Sequence, residues 1–161
     1  MKSKWQTESS TIYGRTTPVP RSLAWFGDAG LNYRYIGIAP PANGWPNALG
    51  PMLRSIEIIA KTEFNFVLLN RYEHGQHYLG WHKDNESGRT SLVASLSLGA
   101  TRKFWIDTRP GAQLDAQEAI HGFELNHGSL LVFDGKHRHT LSKTKRKVAP
   151  RVNLTFRQIV V

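Results

Sequence analysis

The sequence predicts a mainly β domain of the α+β kind. Three observations carry that expectation. Short apolar or alternating runs bounded by turn residues recur from residue 64 onward. Apolar residues fall at helical spacing in one segment only. Residues 12–50 hold five of the eight prolines and several glycine breaks, which fits loops and short strands rather than long helices. At 161 residues the chain has the length of one domain, enough to bury a core without disulfide staples.

The elements follow in order. Residues 1–11 are polar, and a mobile terminus is expected there. Residues 31–36 alternate and read as a strand. In residues 47–62, Leu49, Met52, Leu53, Ile56, Ile59 and Ala60 share helical spacing, and Pro51 suits a first turn. Residues 64–72 form the next strand. Residues 91–99 and 102–107 read as a hairpin with Gly99-Ala100-Thr101 at its turn. Residues 122–125, 129–133 and 151–161 complete a β-sandwich or barrel pattern.

Composition narrows the function. Lys plus Arg is 21 and Asp plus Glu is 12, giving +9 with neutral His and a pI near 10.1. That balance favours a polyanionic partner, nucleic acid before anionic membrane. The absence of cysteine excludes disulfides, thiolate metal sites and a Cys nucleophile. No apolar run approaches the roughly 18 residues of a membrane span. Met1-Lys2-Ser3-Lys4-Trp5-Gln6 lacks the apolar core of a signal peptide. The expectation is a soluble, intracellular, monomeric protein with no membrane contact.

Four pieces of sequence carry chemistry. On a strand over Arg151-Val-Asn-Leu-Thr-Phe-Arg157, Arg151, Asn153, Thr155 and Arg157 share one face. Facing solvent, they mean little. Facing a barrel interior, two buried cations need anions, and a dicarboxylate would supply them. His82 and Asp84 share a strand face and can reach one metal ion. A third His would complete the two-His, one-carboxylate triad of non-haem Fe(II) oxygenases. His121, His127, His137 and His139 are the candidates. His121 and His127 flank a glycine-containing segment and read better as loop or core residues. Alternation does not choose between His137 and His139. Asn70 and Tyr72 share a face near the end of an apolar strand. The order Asn-x-Tyr, His-x-Asp, His, Arg-x-Asn-x-Thr-x-Arg makes chance a poor explanation of the set.

Over residues 12–159 the chain resembles the AlkB family of Fe(II)- and 2-oxoglutarate-dependent dioxygenases. Asn70-Arg71-Tyr72, His82-Lys83-Asp84, His127-Gly128-Ser129-Leu130-Leu131 and Ala149-Pro150-Arg151-Val152-Asn153-Leu154-Thr155-Phe156-Arg157 carry the resemblance. Val19-Pro20-Arg21 and Phe26-Gly27-Asp28-Ala29-Gly30-Leu31 resemble the branch that includes the animal duplex-DNA repair enzymes.

The resemblance implies one domain over residues 1–161. It has a double-stranded β-helix (jelly-roll) core over 64–161, an N-terminal helix, and a substrate-lid segment over 1–50. It implies Fe(II), 2-oxoglutarate and O2, with His82, Asp84 and His139 as catalytic metal ligands. Arg151 and Arg157 would pair with the two ends of 2-oxoglutarate, helped by Asn70, Tyr72, Asn153 and Thr155. The implied activity is oxidative dealkylation of DNA bases such as 1-methyladenine and 3-methylcytosine, releasing formaldehyde. These lesions block pairing, so the base is cheaper to extrude.

For the substrate, Tyr33 and Tyr35 match pocket aromatics able to stack on a flipped base. Glu86 would face a cationic base, and Asn85 stands where duplex-acting relatives carry an acid. Ile12-Tyr13-Gly14 matches a finger that enters the base stack. Lys143, Lys145, Arg146 and Lys147 would attract phosphates. The rivals are the same chemistry on RNA, a dioxygenase of proteins or small molecules, and a metal-independent nucleic-acid-binding module, which leaves the His, Asp and Arg set unexplained. A bacterial cytoplasm is the expected compartment, or a nucleus in a eukaryote.

Overall fold

The computed structural model describes residues 5–12, 15–31, 42–84, 92–109 and 119–160. Among the described residues ten strands form two antiparallel sheets in a jelly-roll arrangement. The larger sheet has the order β1-β2-β3-β10-β5-β8, and the smaller has the order β4-β9-β6-β7. The larger comprises β1 (Gln6–Ile12), β2 (Arg15–Gly27), β3 (Phe66–Tyr72), β5 (Leu92–Gly99), β8 (Leu130–Asp134) and β10 (Arg151–Arg157). The smaller comprises β4 (Leu79–His82), β6 (Arg102–Asp107), β7 (Ile120–Leu125) and β9 (Arg138–Leu141). Among the described residues no helix is long and apolar enough to cross a membrane.

Among the described residues the one α-helix, α1 (Gly50–Ala60), follows a 3-10 turn at Asn47–Leu49 and carries Pro51 in its first turn. It stops where Lys61 turns left-handed at φ 53° and its N–H bonds Glu57 O. The helix is thus shorter than the apolar spacing implies. Ile56 is buried, whereas Ile59 is 63% exposed. Ile56, Met52 and Leu53 pack on the outer face of the larger sheet, against Val67, Leu69, Leu154 and Phe156. Phe156 is fully buried, with Trp45 stacked at 6.5 Å between ring centroids.

Strand alternation turns the other face inward. On β10 that face is Arg151, Asn153, Thr155 and Arg157, all buried. In register beside them on β3 stand Tyr72, Asn70, Leu68 and Phe66. A second cluster joins Tyr72 to Phe104, Ile106, Leu125 and Leu141 of the smaller sheet.

Two expectations are corrected, and one falls outside the described residues. Residues 91–99 and 102–107 do not pair as a hairpin. β5 pairs with β10 and β8, while β6 pairs with β7 and β9, so the chain crosses between sheets at Gly99-Ala100-Thr101. The crossing is tight: Gly99 has φ +93°, and a Cβ there would collide with Pro150 O. Gly99→Ala is therefore expected to cost about 1–3 kcal/mol, read as a lower urea midpoint. Residues 6–12 are not a loose tail but β1, hydrogen-bonded to β2. Backbone pairing at a sheet edge needs no apolar pattern, so polar residues hid the strand. The strand expected over 31–36 falls on residues 32–36, which lie outside the described residues.

β6 ends on a local ion pair. Asp107 accepts hydrogen bonds from Arg109 N at 3.1 Å and Arg109 Nε at 2.8 Å. The Arg109 guanidinium holds its carboxyl down at about 2. A folded-state pKa below the unfolded value adds stability above about pH 4 that is lost as pH falls toward 2. Urea midpoints measured from pH 5 to 2 are expected to fall less steeply in Asp107→Asn than in the parent chain.

Candidate metal centre and cosubstrate cavity

β4 and β9 lie antiparallel with His82 and His139 as direct cross-strand partners. Their rings meet edge to face at 4.2 Å between centroids. Asp84, two residues past β4, is turned in by its own backbone, whose N–H bonds Gly135 O at 2.7 Å. One ligand atom from each of His82, Asp84 and His139 lies within 4.8 Å of the others. Each His Nε2 is 3.8 Å from an Asp84 oxygen, too far for a hydrogen bond.

The tautomers follow from the partners. His82 Nδ1 is 2.8 Å from Gly80 O, and His139 Nδ1 is 2.9 Å from His137 O. A carbonyl only accepts, so both Nδ1 atoms carry the proton. Both Nε2 lone pairs are then free to bind a cation beside Asp84. Burial lowers both imidazole pKa values, that of His139 to about 4. Neither ring has to shed a proton near neutral pH to act as a ligand.

His137 stays outside the group. It supplies the carbonyl that orients His139. His121 is exposed on β7, and exposed His127 accepts a hydrogen bond from Gly99 N at 3.0 Å.

Beside the triad runs a narrow cavity between the sheets. Asn70, Tyr72, Arg151, Asn153, Thr155 and Arg157 line it, and Leu68, Phe104, Phe133 and Leu141 close its apolar side. The two arginines sit differently. Arg157 Nη2 donates to Asp84 Oδ2 at 2.6 Å, at the metal end. Arg151 Nη2 donates to Ser97 Oγ at 2.8 Å, and its Nε has no hydrogen-bond partner. No carboxylate meets Arg151 among the described residues. A guanidinium this buried, with no anion of the protein beside it, fits a cavity that takes a carboxylate ligand. Asn70 Oδ1 is likewise buried without a partner. Burial pushes the Tyr72 hydroxyl above its usual pKa, so it stays a neutral donor.

Sequence reading missed three contributors. Ser95 and Ser97 share the inner face of β5. Ser95 Oγ accepts from Asn153 Nδ2 at 2.7 Å, and Ser97 Oγ from Arg151. Their signal was two serines in alternation inside an apolar run. Arg21 lies on the inner face of β2, two residues before Leu23, which pairs with Asn70. It is buried, its Nε is unpartnered, and its charge acts on both Tyr72 and His82. Its signal was the Val-Pro-Arg run. The structure does not bear on Tyr13, Gly14, Tyr33, Tyr35, Asn85 or Glu86, which lie outside the described residues. The backbone places Ile12 at the end of β1, paired with Arg15.

A model of the 2OG-Fe(II) oxygenase superfamily matches residues 2–157. The chain is 36% identical over 158 residues to the DNA oxidative demethylase ALKBH2 of Bos taurus, covering 92% of this chain and 56% of that protein. It is 36% identical over 159 residues to the ALKBH2 of Homo sapiens, covering 93% and 60%. Identity to the alpha-ketoglutarate-dependent dioxygenase alkB homolog 3 of Homo sapiens is 32% over 165 residues, covering 96% and 57%. The chain thus spans little more than half the length of these relatives. The solved structure of OsALKBH1 superposes with a TM-score of 0.65 at 18% identity, covering 98% of this chain and 86% of that one, a likeness of fold.

Proposed function

From the chain's membership of the 2OG-Fe(II) oxygenase superfamily, as an AlkB-type enzyme using Fe(II), 2-oxoglutarate and O2, we propose that it oxidatively removes alkyl groups from nucleic-acid bases in DNA. The proposed substrates are 1-methyladenine and 3-methylcytosine. One observation supports this most: two Nε2 lone pairs and a carboxylate converge beside a buried arginine that has no acid of its own.

Bound Fe(II), with 2-oxoglutarate and O2, would supply oxidation of an N-methyl C–H bond at the expense of decarboxylation to succinate and CO2. His82, Asp84 and His139 would hold the metal, their rings fixed by the Gly80 and His137 carbonyls. Arg157, which donates to Asp84 at the metal end, would pair with the near end of 2-oxoglutarate. Arg151 would take the far carboxylate of 2-oxoglutarate, with Ser97 holding its fork in place. Tyr72 and Asn70 would add hydrogen bonds, and Asn153 and Thr155 complete the polar wall. Phe104, Phe133 and Leu141 exclude water from the oxidising end.

The base contacts rest on the resemblance to the AlkB family. Tyr33 and Tyr35 would stack on the base, with Asn85 and Glu86 beside it. Ile12, Tyr13 and Gly14 would wedge into the duplex from the β1–β2 connection. Lys143, Lys145, Arg146 and Lys147 would meet phosphates.

The test uses single-stranded and duplex oligonucleotides carrying 1-methyladenine, with Fe(II) and 2-oxoglutarate, with and without O2. Mass spectrometry follows the methyl group. Oxygen-dependent loss is expected. Succinate formation without loss on DNA would overturn the DNA reading and favour RNA. No succinate from iron-loaded protein would overturn the dioxygenase reading itself.

A further inference from the structure

The basic loop between β9 and β10 is built, not loose. Lys145, Arg146 and Lys147 are exposed on it, yet its backbone is held from behind by the loop that follows β3. Thr144 N donates to Gly75 O at 2.9 Å. Gln76 Nε2 donates to Thr144 O at 2.8 Å. Arg146 N donates to Thr144 Oγ1 at 3.2 Å. Lys143 Nζ lies 4.4 Å from the Tyr78 ring centroid.

Arg102 ties the two loops together. It is 3% exposed, and its guanidinium donates to His77 O at 2.8 Å, Gly75 O at 3.3 Å and Ser142 O. A buried cation whose Nη atoms all bond backbone carbonyls, its Nε left without a partner, fixes where those backbones run. Gly75 lets them approach: a Cβ there would lie 2.7 Å from Thr144 Cγ2 and 2.9 Å from Arg146 O.

None of these groups lines the cavity beside the triad, although the Arg102 charge acts on Tyr72 and Arg151, which do. Order in a cationic loop has a physical use. Fixing the loop in advance removes an entropy cost that would otherwise fall at binding.

We propose that Gly75, Gln76 and Arg102 are positioning residues that preset the 142–147 loop for the phosphate backbone of nucleic acid. The inference rests on the nucleic-acid reading above and deepens it. Gln76→Met keeps size and charge and removes only the donor to Thr144. Gly75→Ala pushes the loops apart. The probes are the affinity of a duplex oligonucleotide by fluorescence anisotropy, the salt dependence of that affinity, and 2-oxoglutarate turnover without nucleic acid.

For Gln76→Met, Kd is expected to rise roughly fivefold. Its salt slope should match the parent's, because every cation is retained. Turnover of 2-oxoglutarate without nucleic acid should stay unchanged. Gly75→Ala should weaken binding in the same way. Lys145→Ala and Arg146→Ala report the underlying reading separately, each lowering the salt slope by about one. If those two weaken binding while Gln76→Met and Gly75→Ala bind like the parent, the positioning role is overturned and the nucleic-acid reading stands. If none of the four weakens binding, both the loop's part in that reading and the positioning role fall.

Discussion

His139→Ala is expected to lower 2-oxoglutarate turnover about a thousandfold or more, the scale of several kcal/mol of lost metal chemistry. Bound iron should fall with it. The site offers one nitrogen from each of two rings and one carboxylate. Loss of one ligand leaves two, and Phe104 and Phe133, which flank the His139 ring, carry no replacement donor. His137→Ala is the informative control. It removes a side chain but keeps the carbonyl that orients His139, so most of the activity should remain. Iron content by mass spectrometry and succinate formation read both outcomes. Substantial iron and turnover in His139→Ala would remove that residue from the metal centre.

Arg151→Ala is expected to raise the KM for 2-oxoglutarate about a hundredfold, as when one partner of a buried charge pair is truncated. Iron content should stay near that of the parent, because Arg151 is bonded to Ser97 and not to Asp84. Arg151→Lys should fall between the two, since an ammonium keeps the charge but cannot grip a carboxylate with two parallel bonds. Initial rates against 2-oxoglutarate concentration separate KM from kcat. An unchanged KM in Arg151→Ala would mean that the dicarboxylate is held elsewhere.

These expectations show which parts of the molecule were legible in the sequence. Alternation along residues 151–157 placed four polar side chains on one face. It could not say whether that face met water or the interior. That depends on β3 and β5 flanking β10, a pairing no local pattern encodes. The spacing of His82 and Asp84 was visible at once, whereas alternation left His137 and His139 alike; the family resemblance chose His139, which stands opposite His82 across β4 and β9. The mistaken hairpin has the same origin. Apolar runs on either side of a glycine turn read identically whether the strands pair or part. Arg21 and Gly75 were opaque because their meaning lies in neighbours distant in the chain.

The position of β10 also has a kinetic consequence. It is an interior strand of the larger sheet, pairing Asn153 with Asn70 on one side and Ser97 on the other. Such distant pairings carry a large loop-closure cost and are slow to form. Until β10 docks, Asp84 lacks Arg157, and the cavity lacks its polar wall. The finished geometry around the three side chains therefore depends on β10 being in place. A chain caught without β10 docked would still carry His82, Asp84 and His139, but without the arrangement that aims them at a common point.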